Sequence, residues 1–341
     1  MKIFSRHGVV AVFLALFLFF LVSFNATKPR IVVLHSSGQT LPWAVSVDAG
    51  INRALANNRM PISMQWHYMD LENKPNADQR NVAVADAKRF ISQSDPDILI
   101  AVDDETSALV AKDYVGLDRP KVLFVSIDQK PEVYGYKDAK NVTGIAEILP
   151  IKAIHEGLNV ARPGRPAKIA AISVNNETGQ AEMKQALDFD WKPHTLIATQ
   201  KVNHFGEWQE FVQNIAKQAD ILLVFSSDGL VRAANDVQVV SAKEITQWTE
   251  TNSVPLPVGV NFSFVSNGGG LMFSPSASDY GEQSINMALG WLSAPANSPP
   301  PQIKTSPHFH VGVRAQSLKN RNVILPDIYI ETARIGNSYY P

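Results

Sequence analysis

Short runs of β-branched and other apolar residues recur along the chain at regular intervals. In the first half they occupy residues 31–34, 62–68, 98–102 and 122–125. Runs of this length suit strands that are covered on both faces of a sheet. Between the first two runs, Val47, Ile51 and Ala54 repeat at the spacing of one helix face. The alternation predicts βαβ units on a parallel sheet.

The pattern pauses at residues 141–145 and then begins again. A helix is predicted over 151–159, and further strands are predicted at 168–173, 195–198, 221–225, 257–260 and 271–273. Two more amphipathic helices are predicted over 206–217 and 279–292. We therefore expect an α/β protein of two lobes, each built on a doubly wound parallel sheet.

The first 27 residues have the pattern of an export signal. Lys2, Arg6 and His7 precede an apolar run over 9–22 that ends in a polar segment. Ala26 is small enough to precede a cleavage site, but Phe24 occupies a position where a small residue is preferred. A cleaved signal peptide and a retained signal anchor both stay open. The remainder is expected outside the cytoplasm, in the periplasm, tethered to the inner membrane if the segment is retained.

Composition excludes several functions. The 31 Lys and Arg residues balance 32 Asp and Glu residues, and no long basic run occurs, so nucleic acid is not an expected partner. The sequence has no cysteine, which excludes disulfides, thiolate metal sites, a thiol nucleophile and a lipidated N-terminal cysteine. We expect neither a cofactor nor a metal.

The loops that follow the predicted strands carry the candidate site residues. In parallel α/β sheets the ligand crevice lies beyond the carboxyl ends of the strands. The first such loop contains Ser36, Ser37 and Trp43. These residues would either bind a ligand, with Trp43 stacking against it, or form a capped helix start whose Trp43 packs on the lobe. A later loop holds Asp104 and Thr106, where helix capping, recognition of an amine and metal binding are all open.

The second lobe has similar polar loops at residues 174–178 and 226–229. They contain Asn175 and Asp228, which suit oriented hydrogen bonds to a small ligand and equally suit helix capping. No nucleophile elbow, dinucleotide fingerprint, Walker loop or His-Glu-x-x-His motif occurs. An extracytoplasmic hydrolase that uses Asp104 and His35 is the weakest of the alternatives, and we expect no enzyme activity.

Several short motifs occur in an order that resembles a known family. They are His35-Ser36, Leu41-Pro-Trp43, Ala49-Gly50-Ile51, Asn141-Val-Thr-Gly144 and Tyr280-Gly-Glu-Gln283. Together with the export signal, they resemble the substrate-binding proteins of ABC transporters that have the type I periplasmic-binding fold. The resemblance spans about Arg30 to Ala333. The first loop is also similar to the extracytoplasmic sensor regions of histidine kinases and diguanylate cyclases.

The resemblance implies two lobes connected by three crossovers near residues 141–148, 272–277 and 311–317. Lobe one would comprise residues 30–146 and 278–308, and lobe two residues 147–277 and 309–341. A ligand would bind between them, and the lobes would close around it by a hinge motion. By position in the pattern, the implied ligand-binding residues are Ser36, Ser37, Trp43, Asp104, Thr106, Ser126, Asp128, Asn175, Asp228 and Asn261.

The acidic members of that set indicate a ligand with an amine or a ring N–H, and Trp43 indicates a flat or apolar part. The first expectation is an amino acid, aromatic ones included, because related binding proteins take such ligands. The expected partner is an ABC transporter permease. The alternative is a membrane histidine kinase or diguanylate cyclase that senses the ligand-bound state.

Overall fold

Two sheets organise the molecule, and both are built mostly from parallel strands. The computed structural model describes residues 6–161, 164–295, 298–306 and 308–341. In these ranges the strands are β1 (Arg30–His35), β2 (Ser63–Tyr68), β3 (Ile98–Val102), β4 (Lys121–Ile127), β5 (Val142–Ala146), β6 (Lys168–Val174), β7 (Thr195–Val202), β8 (Ile221–Val224), β9 (Leu256–Gly259), β10 (Leu271–Pro275), β11 (Lys304–Thr305), β12 (Phe309–Arg314) and β13 (Tyr339–Tyr340).

The first sheet has the strand order β11-β5-β4-β3-β1-β2, and its pairs are all parallel in the described residues. Ile31 in β1 lies opposite Met64 in β2 on one side and Ile98 in β3 on the other. Neighbouring strands that are not consecutive in sequence require crossover connections, which helices provide. This is the doubly wound sheet that the sequence predicted.

The second sheet has the order β13-β12-β10-β9-β8-β6-β7. Its pairs are parallel except β10 and β12, which run antiparallel and place Phe273 opposite Val311. We call each sheet with the helices packed on it a lobe. The first lobe contains the six-stranded sheet and the second lobe the seven-stranded one.

The helices are α1 (Arg6–Thr27), α2 (Pro42–Leu55), α3 (Ala77–Ser94), α4 (Asp104–Leu109), α5 (Ile151–Ala161), α6 (Glu177–Asp188), α7 (Phe205–Asn214), α8 (Ala242–Asn252), α9 (Ala277–Ser293), α10 (Ala315–Asn320) and α11 (Asp327–Ile335). Except for α1, which precedes the first strand, they pack against the two sheets. Pro42 occupies the first position of α2, where its missing N–H costs no hydrogen bond.

Alternate residues of the central strands enter two separate cores. In β1, Ile31 and Val33 pack beneath α2 and α9, whereas Val32 and Leu34 pack beneath α3 on the opposite face. All of these side chains are buried. A strand buried on both faces has no polar side to display, which explains the continuous apolar runs in the sequence.

Helices α2 and α9 pack through two glycines. A Cβ on Gly50 would lie 1.9 Å from the carbonyl oxygen of Ser278, and a Cβ on Gly281 would lie 2.0 Å from the carbonyl oxygen of Val47. Backbone therefore touches backbone at this crossing. Both glycines belong to the sequence motifs that suggested the family resemblance.

Within the described ranges the chain passes from one sheet to the other at three places. It leaves the first sheet after β5, returns to the first lobe between β10 and α9, and leaves again between β11 and β12. Residues 142–146 thus belong to the first sheet and residues 309–314 to the second.

The N-terminal helix α1 exposes a row of apolar side chains from Val10 to Phe24. Residues 1–5, which include Lys2, lie outside the described part of the chain. Among the described residues, no helix combines the length and the apolar character needed to span a bilayer. The role of residues 1–27 in export or anchoring stays a prediction.

Candidate ligand-binding cleft

A cavity of about 540 Å³ lies between the two lobes. Its walls come from the loops at the carboxyl ends of β1, β3 and β4 in the first lobe and of β6, β7, β8 and β9 in the second. This is the edge of a parallel sheet at which ligands bind in open α/β folds. We refer to this space as the cleft.

Most of the residues predicted for the site meet in the cleft. Ser36, Ser37, Trp43, Asp104, Ser126, Asp128, Asn175, Asp228 and Asn261 all line it. Thr106 does not. It is fully buried in the first turn of α4, and its backbone N–H donates to the Asp103 carboxylate at 3.0 Å. Its place in the sequence put it beside the cleft, but the helical turn directs its side chain into the first lobe.

Trp43 forms part of the first-lobe wall and also packs on the lobe. Its ring centroid lies 6.3 Å from that of Tyr280 in α9, at an interplanar angle of 53°. The side chain lines the cleft while its other contacts join the apolar core beneath α2. Trp43 therefore packs on the lobe, and its stacking against a ligand stays a prediction.

The loop that follows β3, residues 103–107, contains three consecutive acidic residues, and we call it the acidic loop. Its first residue, Asp103, has a backbone conformation that L-residues rarely adopt, with φ 75° and ψ 175°. Its carboxylate accepts the N–H of Thr106 at 3.0 Å and the hydroxyl of Ser36. Asp103 is thus the N-cap of α4, which confirms the capping interpretation for one of the acidic residues. Such strained backbone is concentrated at functional sites, where surrounding structure enforces it.

Asp104, the next residue, belongs to a dense set of hydrogen bonds on the first-lobe wall. Its carboxylate accepts the N–H groups of Asp128 at 2.9 Å and Gln129 at 3.1 Å, and the hydroxyl of Tyr134 at 2.5 Å. Burial nevertheless outweighs these bonds and raises the pKa of Asp104 to about 6. The carboxyl fixes the loop after β4 against α4.

Ser126 lies at an irregularity in the pairing of β4 and β5, between Val125 and Ile127. Its φ of 58° is in the left-handed region, and its side chain lines the cleft, where it donates to Glu147. Bulges of this kind redirect a side chain out of the regular alternation. Burial raises the pKa of Glu147 to about 8.

The second-lobe wall is centred on Glu182 in α6. Its Oε2 accepts the N–H of Ser226 at 2.9 Å and the hydroxyl of Ser173 at 3.2 Å. Burial and the nearby acidic groups, Asp228 and Asp104 among them, raise the pKa of Glu182 to about 8. Glu182 therefore ties α6 to the strand ends while it faces acidic groups of the first lobe.

One side chain bridges the lobes directly. Gln185 in α6 donates through Nε2 to Oδ1 of Asp128 at 2.7 Å, and its Oε1 accepts the N–H of Leu149 at 3.0 Å. Burial, with Glu147, Asp104 and Glu182 nearby, raises the pKa of Asp128 well above its usual range. The amide of Gln185 thus connects α6 with Asp128 of the first lobe and with the segment between β5 and α5 that contains Leu149.

Asp228 adds a further carboxyl group to the second-lobe wall of the cleft. It follows β8 and lines the cavity beside Gly229, where an added Cβ would lie 3.6 Å from the carbonyl oxygen of Glu72 in the first lobe. Burial and the charge of Glu105 raise the pKa of Asp228 to about 6. Acidic residues of the two lobes therefore lie near one another around Asp228 as well.

The charge on the cleft is strongly one-sided. Its acidic lining residues are Glu72, Asp103, Asp104, Glu105, Asp128, Glu147, Glu177, Glu182 and Asp228, against Lys74 and Arg80 among the described lining residues. Arg80 pairs with Glu105 at 2.5 Å. Lys74 donates to the carbonyl oxygens of Met69 at 2.7 Å and Asp70 at 3.0 Å. Both cations are engaged by the protein itself.

Two polar atoms in the wall have no hydrogen-bond partner in the described structure. They are Oγ of Ser37, a residue only 7% exposed, and Oε2 of Glu72. The other oxygen of Glu72 accepts the N–H of Gly38 at 2.8 Å. Buried polar atoms ordinarily find a partner, so these two indicate where a polar ligand or water completes the wall.

The sequence did not indicate Glu72, Glu147 or Glu182 as site residues. Glu182 lies within a helix and the other two lie in connections, so none of them is among the strand-end loop residues singled out for the site. One signal was present for Glu182: it occurs among the residues Ala181, Met183 and Ala186 that α6 buries. A carboxylate on a buried helix face is an informative exception.

His35, the base in the hydrolase alternative, points away from the cleft. It is fully buried, stacks on Tyr68 at a centroid distance of 5.0 Å and contacts Oδ1 of Asp48 at 3.0 Å through Nε2. The geometry therefore does not place His35 beside Asp104. Within the described ranges, no group of three or more His, Asp or Glu side chains is arranged to hold a metal ion.

Comparison with known proteins identifies the fold. No family model matches the sequence, and no curated protein matches it. A conserved domain protein from Vibrio cholerae is 13% identical with a TM-score of 0.68, over 92% of this chain and 100% of that one. An ABC domain from Streptococcus pneumoniae in complex with L-Trp is 16% identical with a TM-score of 0.66, over 90% and 98%.

A Caulobacter myo-inositol binding protein, solved with myo-inositol, is 13% identical with a TM-score of 0.55, over 90% of this chain and 97% of that one. Identities this low establish the fold alone. The chain has the type I periplasmic-binding-protein fold, as the sequence predicted.

Proposed function

We propose that this protein is an extracytoplasmic solute-binding protein that captures a small polar ligand between its lobes. The observation that carries this proposal is the cleft itself, a cavity of about 540 Å³ whose polar walls come from the carboxyl ends of both sheets. Ligand pockets have volumes of this order and a few convergent polar groups. The export signal predicted in residues 1–27 supports an extracytoplasmic location.

An ABC transporter permease is the proposed partner. The support is the fold, which this chain shares with an ABC domain in complex with L-Trp and with a myo-inositol binding protein. The comparisons do not support the sensory alternative. The protein is proposed to act without catalysis, because His35 lies on the far side of β1 from the acidic loop.

The ligand is proposed to carry an amine. Carboxyl groups line both walls of the cleft, and Trp43 supplies an aromatic face on the first-lobe wall. A protonated amine suits both, through charge-assisted hydrogen bonds and through the face of the indole ring. An amino acid, the ligand that the sequence suggested, has such an amine.

A thermal stability screen of the full-length chain tests this function. Amino acids, amines, nucleosides and polyols at 1 mM would each be added, and unfolding followed by fluorescence. At least one compound is expected to raise Tm by several degrees, since a ligand that binds only the folded state stabilises it. Unchanged Tm across all of these classes would contradict the proposal.

Two charge-removing variants, one in the cleft and one on the protein surface, test whether the active compound binds in the cleft. Glu182→Gln changes a cleft carboxyl, whereas Glu210→Gln removes the same charge from the exposed surface of α7. The stabilisation by the active compound is expected to shrink in the first variant and to persist in the second. Equal loss in both variants would place the binding site elsewhere.

A further inference from the structure

We propose that the ligand of the cleft is an organic cation that carries no carboxylate, such as a diamine or an aromatic monoamine. This inference rests on the proposed function and narrows its ligand class. It departs from the amino acid suggested by the sequence, and it follows from how the charged groups of the cleft are already engaged.

The first observation concerns the cationic side chains. The carboxylate of a bound amino acid needs a cation or several free N–H groups in a buried site. Among the described lining residues the cations are Lys74 and Arg80. Arg80 is paired with Glu105 at 2.5 Å, and Lys74 donates to two backbone carbonyls. Lys74 also pairs with Asp70 at 3.3 Å, so both cations already have a carboxylate partner, and a ligand carboxylate would meet no unpaired positive charge among them.

The second observation concerns the N–H groups at the helix starts. The first turn of α4 is capped by Asp103, and the first turn of α6 is capped by Asn176, whose Oδ1 accepts the N–H of Gly179 at 2.8 Å. These are the positions at which α/β proteins bind anions. Here a protein side chain takes one N–H group of each first turn, and at α4 that side chain is itself a carboxyl group, which disfavours an anion beside it.

The third observation is the presence of free acceptors. Oε2 of Glu72 and Oγ of Ser37 line the wall without a hydrogen-bond partner in the described structure, and Ser37 is more than nine-tenths buried. An ionised Glu72 oxygen only accepts hydrogen bonds and an ammonium group has only donors, so the two are complementary. The hydroxyl of Ser37 both donates and accepts, and it can accept from the same ammonium group.

The arrangement across the cleft favours a cation that contacts both walls. Glu182 and Asp228 of the second lobe line the cleft opposite Asp104 and Glu72 of the first, so ionising these carboxyl groups together brings like charges close to one another. A cation between them stabilises their ionised forms. A neutral sugar does not supply this positive charge, and the carboxylate of a zwitterion placed inside adds a further negative charge.

Pairs of compounds that differ by one carboxylate test the inference. 1,5-Diaminopentane is L-lysine without its carboxylate, and tryptamine is L-tryptophan without its carboxylate. Binding of all four to the full-length chain would be measured by isothermal titration calorimetry at pH 7.5 and constant ionic strength. In at least one pair the decarboxylated compound is expected to bind at least tenfold more tightly.

Variants then place the amine in the cleft. Asp228→Asn removes a charge from the wall, and Glu210→Gln removes one from the exposed surface of α7. The first is expected to weaken amine binding at least fivefold and the second to leave it unchanged. Because Asp228 has no hydrogen bond within the described residues, its substitution should leave folding intact, which a melting curve checks.

The outcomes separate this inference from the proposed function. An amino acid that binds as tightly as its decarboxylated partner, or a polyol that binds better than every amine, overturns the inference and leaves a solute-binding protein. Amine binding that Asp228→Asn leaves unchanged also overturns it. If no compound of any class binds, the proposed function fails, and the inference fails with it.

Discussion

At the scale of single residues, Asp103 and Ser126 show that the backbone beside the cleft adopts strained conformations. Both have positive φ, 75° and 58°, although neither is glycine. Each is held by a side-chain contact: Asp103 with Ser36 and Thr106, and Ser126 with Glu147. Left-handed backbone costs roughly 1–2 kcal/mol for an L-residue with a Cβ. The surrounding contacts must offset this cost.

This strain makes a prediction for Asp103. Asp103→Ala and Asp103→Gly both lose the N-cap, but only glycine tolerates φ 75° and ψ 175° without strain. The glycine variant should therefore be the more stable of the two by about 1 kcal/mol, in the free energy of unfolding measured with urea. An alanine variant of equal or greater stability would show that the backbone here is unstrained.

The buried carboxyls predict how stability changes with pH. Burial raises the pKa of Asp103 to about 7 and those of Glu147 and Glu182 to about 8, above their unfolded values. The folded state therefore binds more protons than the unfolded state in this range. The stability that these groups contribute is present at acidic pH and is lost as the pH rises through 7 and 8.

Glu182→Gln isolates this effect, because histidines and other groups contribute equally to both proteins. The free energy of unfolding would be measured from pH 5.5 to 8.5. The wild-type value is expected to fall relative to the variant by up to about 1.4 kcal/mol per pH unit at pH values between the unfolded pKa and the folded pKa of about 8, and the difference should level off above pH 8. Parallel curves would mean that Glu182 is ionised in the folded protein throughout this range.

At the scale of elements, the apolar runs predicted most strands because burial on both sheet faces leaves a strong local pattern. Strand β5 is the informative exception. Thr143 donates to the carbonyl oxygen of Pro301 at 2.7 Å, and a Cβ on Gly144 would lie 2.2 Å from the carbonyl oxygen of Phe124. Thr143 and Gly144 suit their contacts with segments distant in sequence. The local sequence therefore lacks the apolar run that would have predicted a strand.

The crossing of α2 and α9 carries a prediction that uses two glycines of one helix. Gly281→Ala would force a Cβ to within 2.0 Å of the Val47 carbonyl oxygen, whereas a Cβ on Gly290 would meet no atom within 4 Å. We expect Gly281→Ala to lower the free energy of unfolding by roughly 1–3 kcal/mol. Gly290→Ala should leave it unchanged or raise it by up to about 1 kcal/mol.

Urea denaturation of both variants measures the difference. A Gly281→Ala protein as stable as Gly290→Ala would contradict the close packing of the two helices. The sequence presented these glycines only as parts of family-like motifs. The structure gives the physical reason for Gly50 and Gly281, which is the approach of one helix backbone to another.

At the scale of the whole molecule, the site depends on contacts that no local pattern reveals. The strand-end loops were predictable, because polar residues such as Ser36 and Asp228 follow apolar runs. Glu147 and Glu182 were not, because they reach the cleft only once the two lobes are placed against each other. The one-sided charge of the cleft is therefore a property of the assembled fold.

Gln185 predicts how lobe closure is linked to binding. Gln185→Ala removes the hydrogen bond that connects α6 with Asp128 of the first lobe and also the one to the N–H of Leu149, in the connection that follows β5. We expect the affinity for a cleft ligand to fall up to about tenfold, since each lost hydrogen bond is worth about 0.5–1.5 kcal/mol. Calorimetric titration with the most stabilising compound of the screen gives the change.

Lys184→Ala on the same helix is the control. Its side chain is exposed and pairs with Asp188 at 3.0 Å, an interaction of a kind that contributes little. Affinity should be unchanged in this variant. Equal affinities of the Gln185→Ala protein and the wild type would contradict a role for this bridge in closure.

A crystal structure of the full-length chain with the most stabilising compound would show whether the ligand binds between the two lobes. We expect the compound to lie in the cleft, to touch Trp43 of the first lobe, and to be within hydrogen-bonding distance of Glu182 or Asp228 of the second. A compound bound outside the cleft, or held by one lobe alone with the lobes apart, would contradict the proposed function.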